Sequence, residues 1–336
     1  MATSGPNLQL FDSGAAVAVA PGADLLATQE AGESYELKLL SYNIFLRPEV
    51  VDWILGSRDR ADCRAAPLAD VIKQGDFDIV ALQETQHQPA WDKLDHRLGS
   101  SLPFRLTGQP SAFAWADTRP VNGGNSLLSR YPIERFYTES YRNCTASDCL
   151  ARKGFVHVLI KVAPDFKVNV VGTHLNSGSS MLAWRARRKQ LIQLGSYLNH
   201  EALIKAWPTV LLGDLNVDAG QGADVERHKE AMAQLVIDGL GPPRDPFGVA
   251  YEDDAALELA NSRNCTGSRV IPCKSPNDQR FSDERRRLDY VLVWDSGDYE
   301  VEVMQKDIFS YKDTECGTRY LSDHQAPFTQ LRFQKR

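Results

Sequence analysis

Short apolar runs rich in β-branched and aromatic residues recur along the chain, separated by polar, turn-forming segments. Runs of this length and composition are typical of buried strands. Two of them flank Pro164 and Asp165, which predicts a hairpin. The predicted strands cover residues 37–45, 78–83, 126–129, 155–162, 167–173, 209–212 and 290–294.

Two other stretches have the spacing of apolar positions that is typical of helices. One covers residues 61–73 and the longer one covers residues 181–205. Strands and helices that alternate throughout a chain favour one continuous α/β domain. The inner face of the longer helix is predicted to carry Leu182, Leu191, Leu194 and Leu198.

Two segments lack such patterns. Residues 1–35 are dominated by small residues, and the first basic residue is Lys38. We therefore predict a flexible leader over residues 1–35 and a single domain over residues 36–336. Residues 240–286 are rich in Pro, Asn, Asp and Arg, which predicts a long irregular loop of the kind that is often functional.

Composition narrows the class of protein. Apolar residues make up 43% of the 336 residues and charged residues 24%, the balance of an ordinary soluble protein. The 38 basic and 44 acidic residues give a net charge of −6, which argues against a broad basic surface for nucleic acid. Because no apolar stretch is long enough to cross a bilayer, we predict a soluble protein without a transmembrane segment.

The cysteines point to an oxidising compartment, whereas the leader lacks the basic start of a secretory signal. We predict one disulfide in each of two pairs that are close in sequence, and the other two cysteines either free or bonded together. The predicted location is secreted or extracytoplasmic, with a cytoplasmic location as the alternative. The close pairs are Cys144–Cys149 and Cys265–Cys273, and the remaining cysteines are Cys63 and Cys316.

Polar residues that bind metals or move protons follow several of the predicted strands. A single Asp or His after a strand is usually a cap or a turn residue. Six such segments in one chain are much harder to explain in that way. They are Ser41-Tyr42-Asn43, Leu82-Gln83-Glu84, Gly172-Thr173-His174, Gly213-Asp214-Leu215-Asn216, Leu288-Asp289-Tyr290 and Leu321-Ser322-Asp323-His324.

The chemistry that these residue types share is the hydrolysis of a phosphate ester. Glu84 offers a carboxylate and Asn43 a carbonyl oxygen, which are hard ligands that suit Mg²⁺. Such an ion polarises phosphoryl oxygens and neutralises the charge that develops during displacement. We predict Mg²⁺ as the cofactor, with Mn²⁺ or Co²⁺ as substitutes, because no Cys or His cluster has the spacing of a zinc site.

The remaining residues suit the activation of a water molecule. Asp214 and Asn216 lie on one face of an extended segment, from which they can position or deprotonate the water. His324 and Asp289 are the predicted pair in which an acidic partner fixes the tautomer of an imidazole and raises its pKa. His174 is predicted to donate a hydrogen bond or a proton to a phosphate oxygen. We favour His324 as the base, with Asp214 positioning the water.

The six segments, in this order, resemble the motif series of the endonuclease/exonuclease/phosphatase superfamily, which has the DNase I-like fold. The resemblance covers residues from about 37 to 333. It implies an α/β fold in which two packed β-sheets are flanked by helices, a four-layered sandwich. It also implies metal binding by Asn43 and Glu84, with Asp323 near the metal, and catalysis by His174, Asp214, Asn216, Asp289 and His324.

Segments between these motifs are similar to one branch of the superfamily, the neutral, bacterial-type sphingomyelinases. Phe45-Leu46-Arg47-Pro48 is similar to the stretch after the metal-binding Asn in that branch, and residues 122–133 are similar to its Gly-Gly segment. Residues 148–155 resemble its Lys-Gly motif. The resemblance implies that Lys153 and Asn125 contact the substrate, although a base at the start of a strand is as often simply solvated.

One difference from that branch concerns the membrane. Its members have a long hairpin with exposed aromatic residues before the Ser-Asp-His motif, whereas residues 309–321 form a short segment here. The aromatic residues Phe309, Tyr311 and Tyr320 are predicted to pack within the strands. Membrane contact is then weaker, or it uses other loops such as residues 240–286.

Two basic clusters have both a plain and a functional explanation. The plain explanation, which we favour, is a solvated helix face in one case and a strand flank in the other. The functional explanation is contact with anionic headgroups or DNA phosphates. The clusters are Arg185, Arg187, Arg188 and Lys189 in the long helix, and Arg285-Arg286-Arg287 before the last catalytic strand.

The leading hypothesis is a Mg²⁺-dependent phosphodiesterase that hydrolyses sphingomyelin to ceramide and phosphocholine by attack of water on phosphorus. The predicted partner is a phospholipid at a membrane surface, with no stable nucleic-acid partner and a monomeric state. Trp53, Trp115 and Tyr251 are candidates for an aromatic wall around choline. The alternatives are a nuclease or an inositol phosphatase of the same fold, and a binding module that has lost its activity. The intact set of polar residues argues against a binding module.

Overall fold

The strands of the protein form two sheets. In a computed structural model, the described residues are 17–19, 28–48, 61–108, 119–218, 223–247, 287–313, 315–316 and 320–336. The larger sheet of this part has seven strands. Numbered in chain order and given in spatial order, they are β1 (Val17–Val19), β4 (Phe104–Thr107), β5 (Ser126–Ser129), β3 (Ile79–Thr85), β2 (Ser34–Leu46), β12 (Ala326–Lys335) and β11 (Tyr299–Phe309).

The smaller sheet has five described strands, and it packs face to face with the larger one. In spatial order they are β10 (Asp289–Trp294), β9 (Thr209–Asp214), β8 (Phe166–His174), β7 (Gly154–Ala163) and β6 (Ile133–Ser140). The described helices are α1 (Ala61–Gln74), α2 (Gln88–Leu98), α3 (Met181–His200), α4 (Ala202–Ala206) and α5 (Ala223–Gln234). None of them is both long enough and apolar enough to span a membrane.

Both faces of the central strands are buried, which produces four layers. Leu37 and Leu39 of β2 face the space between the two sheets, where they meet residues of the smaller sheet such as Val210. Leu40, on the opposite face of β2, packs with α1 and α2. A third apolar cluster joins the outer face of the smaller sheet to α3, through residues such as Leu191. The predicted sandwich of two sheets flanked by helices is therefore confirmed.

The register of the smaller sheet brings polar strand ends together. Strands β8 and β9 are parallel, so their carboxyl ends lie at the same edge, where His174 is opposite Asp214. Strand β10 runs antiparallel to β9, and its first residue, Asp289, is the partner of Asp214. In the larger sheet, β2 and β3 are parallel, and Asn43 is opposite Gln83 near their carboxyl ends. Three strand ends of the smaller sheet and two of the larger sheet thus carry acid, amide or imidazole side chains.

The first turn of α1 holds two segments from opposite ends of the chain. Cys63 forms a disulfide with Cys316, which lies shortly before the Ser-Asp-His motif. The buried guanidinium of Arg64 donates to the carbonyl oxygens of Ile44, Phe45 and Leu321. These carbonyls border Asn43 on β2 and Ser322 of the C-terminal motif, so helix α1 fixes both segments relative to each other.

The other cysteine predictions have different outcomes. Cys144 and Cys149 form the predicted short-range disulfide. The two cysteines for which the sequence left alternatives open are bonded to each other, because the fold brings Cys63 and Cys316 together. The predicted pair Cys265–Cys273 lies outside the described residues.

Several predicted elements change in detail. The long helix over residues 181–205 is two helices, α3 and α4, because Glu201 adopts an extended conformation and its side chain caps the second helix. The prediction that Leu182 lies on the inner face is wrong, because Leu182 is 63% exposed. Within the predicted leader, Val17–Val19 pairs with β4 as an edge strand. Residues 1–16 and 20–27 of the leader, and 248–286 of the predicted loop, lie outside the description.

We expect Arg64→Met to lower the free energy of unfolding by about 3 kcal/mol, because it leaves buried carbonyl oxygens without a donor. Equilibrium unfolding in urea measures this change. Arg97→Met is the matched control, since Arg97 forms an exposed ion pair with Asp70 and its loss costs at most about 1 kcal/mol. Equal stability of the two variants would show that Arg64 does not hold these segments.

Candidate active site

One amide links the two sheets at the site. The Nδ2 atom of Asn43, which is fully buried on β2, lies 3.1 Å from Oδ2 of Asp214 on β9 and 3.2 Å from Oε1 of Glu84 on β3. The Oδ1 atom of Asn43 accepts from the backbone N–H of Phe45 at 3.2 Å. Three predicted site residues from two sheets are therefore in direct contact.

His324 and Asp289 form the predicted pair. Nδ1 of His324 lies 2.7 Å from Oδ2 of Asp289, and Nε2 lies 3.8 Å from Oδ2 of Asp214. Burial alone would lower the pKa of His324, but Asp289, and then Asp214 and Asp323, outweigh it and raise that pKa well above its usual value. The hydrogen bond to Asp289 fixes the tautomer, so that Nε2 faces the acidic centre of the site.

The carboxylate of Asp214 is held from its own strand end. The backbone N–H of Asn216 donates to Oδ1 of Asp214 at 2.8 Å, which a left-handed backbone conformation at Asn216 (φ 49°) makes possible. The side-chain amide of Asn216 donates to the carbonyl oxygen of Leu175 at 3.2 Å. Burial, and next the charge of Asp289, raise the pKa of Asp214 to about 6.

A buried lysine lies at the opposite side of Asp214. Nζ of Lys153 is 2.9 Å from Nε2 of His174, and that nitrogen is 3.4 Å from Oδ2 of Asp214. Burial, and then the charge of Lys153, lower the pKa of His174 well below its usual value, so the ring is neutral and Nε2 accepts from the ammonium group. Asp148 pairs with Lys153 at 3.0 Å. The charge of Lys153 is thereby kept close to the acidic centre.

Two acidic residues beside the larger sheet have oxygen atoms that are available to bind a ligand. Oε2 of Glu84 and Oδ1 of Asp323 are buried and have no hydrogen-bond partner among the described residues. Burial raises the pKa of Asp323, and the nearby charge of Glu84 adds to the effect. Two uncompensated oxygens of hard ligand type beside the Asn43 amide fit a divalent cation of the Mg²⁺ class.

A backbone turn brings Glu84 to this position. Glu84 itself has a positive φ of 60°, and so has Gly124, with a φ of 68°. The carbonyl oxygen of Gly124 accepts from the N–H of Thr85 at 3.1 Å. A Cβ atom at residue 124 would lie 3.1 Å from the Cα of Glu84, which explains why glycine occupies this position.

A second acidic group lies close by. Ligand atoms of Asp214, Asp289 and His324 all lie within 4.8 Å of one another. Within this group, Asp289 and His324 already satisfy each other with a hydrogen bond. Its geometry therefore suits the handling of a proton.

An open cleft lies beside this centre. The residues that line it include Arg47, Glu84, Lys153 and His174. Asn125, which the sequence predicted to contact substrate, is buried, and its amide donates to the carbonyl oxygen of Gly154 at 2.9 Å. This contact is with the first residue of the strand that follows Lys153.

Two contributors were not among the predicted site residues. Asp148 lies in the segment that resembles the Lys-Gly motif, but only the structure shows that it pairs with Lys153 and accepts from the backbone N–H of Ser177 at 2.5 Å. Arg64 gives no local signal in the sequence, because an arginine in an amphipathic helix is normally solvated. The proposed aromatic wall (Trp53, Trp115, Tyr251) and Arg285 and Arg286 lie outside the described residues.

Comparison with known proteins indicates the family of the chain. A family model described as the endonuclease/exonuclease/phosphatase family matches residues 40–324. Sphingomyelinase C of Bacillus cereus is 27% identical over 210 residues, which are 59% of this chain and 62% of that protein. The match thus covers less than two thirds of the length of this relative.

Solved structures share the fold. A variant of the beta toxin of Staphylococcus aureus with bound magnesium ions has a TM-score of 0.58 and 19% identity, and the match covers 90% of this chain and 100% of that one. D. rerio TDP2 complexed with a single-strand DNA product has a TM-score of 0.60 and 17% identity, covering 88% of this chain and 98% of that one. The family model spans most of the chain and confirms the predicted enzyme class, a hydrolase of phosphate esters, at the level of the family. The chain belongs to the endonuclease/exonuclease/phosphatase family.

Proposed function

We propose that the protein is a Mg²⁺-dependent phosphodiesterase that hydrolyses sphingomyelin to ceramide and phosphocholine. The observation that carries the proposal is the arrangement around Asp214: the Nε2 atom of His324 is 3.8 Å away, and the Asn43 amide that contacts Asp214 also contacts Glu84. A base, an acidic centre and a cation-binding carboxylate are thus within reach of one phosphate group.

The metal is proposed to bind at Glu84 and Asp323, with the side chain of Asn43 beside them. A divalent cation held there supplies polarisation of a phosphoryl oxygen and neutralises developing negative charge. The support is the pair of buried oxygens, Oε2 of Glu84 and Oδ1 of Asp323, that lack a hydrogen-bond partner in the described part of the chain.

The side chains of the smaller sheet activate the water. His324 accepts the proton of the attacking water at Nε2, because its Nδ1–H is engaged with Asp289 and Nε2 is left to face the site. Asp214 and Asn216 orient that water from the opposite side. As the bond from phosphorus to the ceramide oxygen breaks, that oxygen takes up a proton from the ammonium group of Lys153, which Nε2 of His174 holds by a hydrogen bond.

Sphingomyelin is the substrate that the motifs between the catalytic segments favour. They are similar to those of bacterial sphingomyelinases, and a relative with that name matches over 210 residues. The nuclease alternative is supported by the similar fold of TDP2 with bound single-strand DNA. The net charge of −6 argues against that alternative, since a nuclease of DNA benefits from a positive surface.

We also propose an extracytoplasmic location. The described part of the chain contains two disulfides, Cys63–Cys316 and Cys144–Cys149, and such bonds persist in oxidising compartments. A bilayer with sphingomyelin is then accessible from the same side as the enzyme.

The substrate is tested by phosphocholine release from sphingomyelin vesicles, with Mg²⁺ and with excess EDTA, beside a plasmid-nicking assay. We expect release that EDTA abolishes, and an intact plasmid. Nicking without lipid hydrolysis would support a nuclease and contradict the substrate. The absence of both activities, together with release of phosphate from inositol phosphates, would also contradict sphingomyelin as the substrate.

Removal of one ligand charge tests the metal site. We expect Glu84→Gln to raise the Mg²⁺ concentration for half-maximal hydrolysis by about tenfold or more, because a neutral amide oxygen is a weaker ligand than a carboxylate. Glu300→Gln, an exposed position on β11, is the matched control with an unchanged titration. An unchanged metal titration for Glu84→Gln would exclude Glu84 as a principal ligand.

The base is tested at His324. We expect His324→Ala to reduce turnover by about a thousandfold or more, because general-base catalysis is lost. The variant remains folded by circular dichroism, since three apolar clusters hold the sandwich. His200→Ala, an exposed histidine at the end of α3, is the control and retains wild-type turnover. Substantial activity of His324→Ala would assign the proton transfer to another group.

A further inference from the structure

Exposed apolar side chains lie beside the cleft. In the first turn of α3, Met181 is 53% exposed and Leu182 is 63% exposed, while Ala183 and Trp184 turn inward and are buried. Leu150, in the 3-10 turn Ala146–Leu150, is 49% exposed and lines the cleft itself. These three residues are the largest exposed hydrophobic side chains of their segments, and we call them the apolar rim.

Hydrogen bonds attach the apolar rim to the catalytic centre. Asp148 accepts from the backbone N–H of Ser177 at 2.5 Å and from its hydroxyl at 3.2 Å, and it also pairs with Lys153 of the active site. The buried Arg187 donates to the carbonyl oxygens of Asn176 at 2.9 Å and Gly178 at 2.6 Å. The loop that leads into α3 is therefore anchored on both sides.

The position of this loop relative to the site is also defined. Ser177 lines the cleft together with Glu84 and His174. Gly178 and Ser179 line a smaller hollow together with Asn216. Because the loop lies between two depressions that both contain predicted catalytic residues, the first turn of α3 stands at the edge of the active site.

The charge beyond the rim is positive. Residues 175–200 contain Arg185, Arg187, Arg188 and Lys189 and no acidic residue, in a chain whose net charge is −6. Arg185 and Lys189 are exposed and follow Met181 at intervals of four residues, so they continue the same face of the helix. An apolar tip followed by basic residues complements a lipid surface, with acyl chains for the tip and anionic phosphates for the bases.

The segment before the Ser-Asp-His motif is less suited to this contact. Phe309 and Tyr311, from the short segment before the Ser-Asp-His motif, are partly buried and pack against the cluster under α1. The rings of Tyr42 and Tyr311 are 5.6 Å apart, and those of Phe309 and Phe328 are 5.4 Å apart. These aromatic side chains are engaged in the fold, whereas those of the apolar rim are exposed.

We propose that the apolar rim (Leu150, Met181 and Leu182), with Arg185 and Lys189, is the surface by which the enzyme docks on a phospholipid bilayer. The rim enters the headgroup region, and the cleft then opens towards the headgroups. This inference rests on the proposed function, because only a lipid substrate requires the active site to face a bilayer.

Binding is measured apart from turnover. Wild-type protein and variants are sedimented, in excess EDTA, with vesicles of phosphatidylcholine and sphingomyelin, with and without one fifth of phosphatidylglycerol. We expect the double variant Met181→Ser/Leu182→Ser to lose about tenfold or more in partition to both vesicles. Ile192→Ser is the matched control, since Ile192 is 42% exposed on α3 but lies beyond the basic residues, and it binds like the wild type.

The basic residues have their own variant. We expect Arg185→Gln/Lys189→Gln to remove most of the gain in binding that phosphatidylglycerol gives, and to leave binding to the neutral vesicles within about twofold of the wild type. Arg135→Gln, an exposed arginine on β6, is the control and retains the gain. We expect Leu150→Ser to lose binding to both vesicle types too. Such a loss would support the apolar rim with a residue that lies outside α3.

Hydrolysis separates this inference from the proposed function. With Mg²⁺, we expect Met181→Ser/Leu182→Ser to hydrolyse vesicle sphingomyelin more slowly but a soluble bis(4-nitrophenyl) phosphate at the wild-type rate. Wild-type binding by this variant, or no binding of the wild type to either vesicle, would overturn the docking surface. Size-exclusion chromatography tests whether the rim binds a second copy of the chain instead. A wild-type dimer that the rim variant no longer forms would also overturn the docking surface. If the rim variant loses binding and the wild type hydrolyses no sphingomyelin, the surface stands and the substrate is wrong.

Discussion

The contact between Asn43 and Asp214 is the constraint on which the rest of the site depends. These residues end strands of different sheets, so their 3.1 Å contact exists only when the two sheets pack in one relative position. The apolar cluster between the sheets sets that position, through close-packed side chains such as Leu39 and Val210. The distances from His324 and His174 to Asp214 follow from this relative position, because the same two sheets carry all these groups. Packing in the middle of the sandwich thus controls the geometry of catalysis at its end.

The charges gathered at this end oppose folding, and the structure compensates them one by one. Burial of an unpaired charge lowers the free energy of unfolding by several kcal/mol, which is roughly the whole net stability of a small domain. Asp289 is matched by His324, and Lys153 is matched by Asp148 and by the nitrogen of His174. Glu84 and Asp323 each keep one buried oxygen without a hydrogen-bond partner in the described part of the chain. A cation bound at these two oxygens would compensate their negative charge. The cost of burying the two carboxylates is therefore directly related to the need for a metal.

The sequence predicted most of the site because its residues follow the most apolar strands, whose parallel pairing puts their carboxyl ends together. It did not predict β1, β4, β6, β11 or β12. For β6 and β11 the reason is that one face of β6 and most of β11 are solvated, so their apolar alternation is weak. The bond between Cys63 and Cys316 and the contacts of Arg64 join segments more than 200 residues apart, as the separation of 253 residues in the disulfide shows. Such long-range contacts leave no local pattern. The prediction that Leu182 is buried failed for a related reason. A helical periodicity identifies the apolar face of a helix, but it does not show how much of that face other elements cover.

The loop between β8 and α3 connects the chemistry to the surface of the molecule. It begins at His174 inside the site and ends seven residues later at Met181, which is exposed to solvent. Within this short distance, Asp148 holds the loop from the side of Lys153, and Arg187 holds it from the helix. A loop fixed at both sides transmits the orientation of α3 to the cleft with little freedom, so a surface that binds the first turn of α3 also fixes the direction in which the cleft opens. The negative net charge of the chain reinforces that direction, because an anionic bilayer repels the chain as a whole and attracts the basic face of α3. The strength of the docking contact can therefore be modest and still specify one orientation.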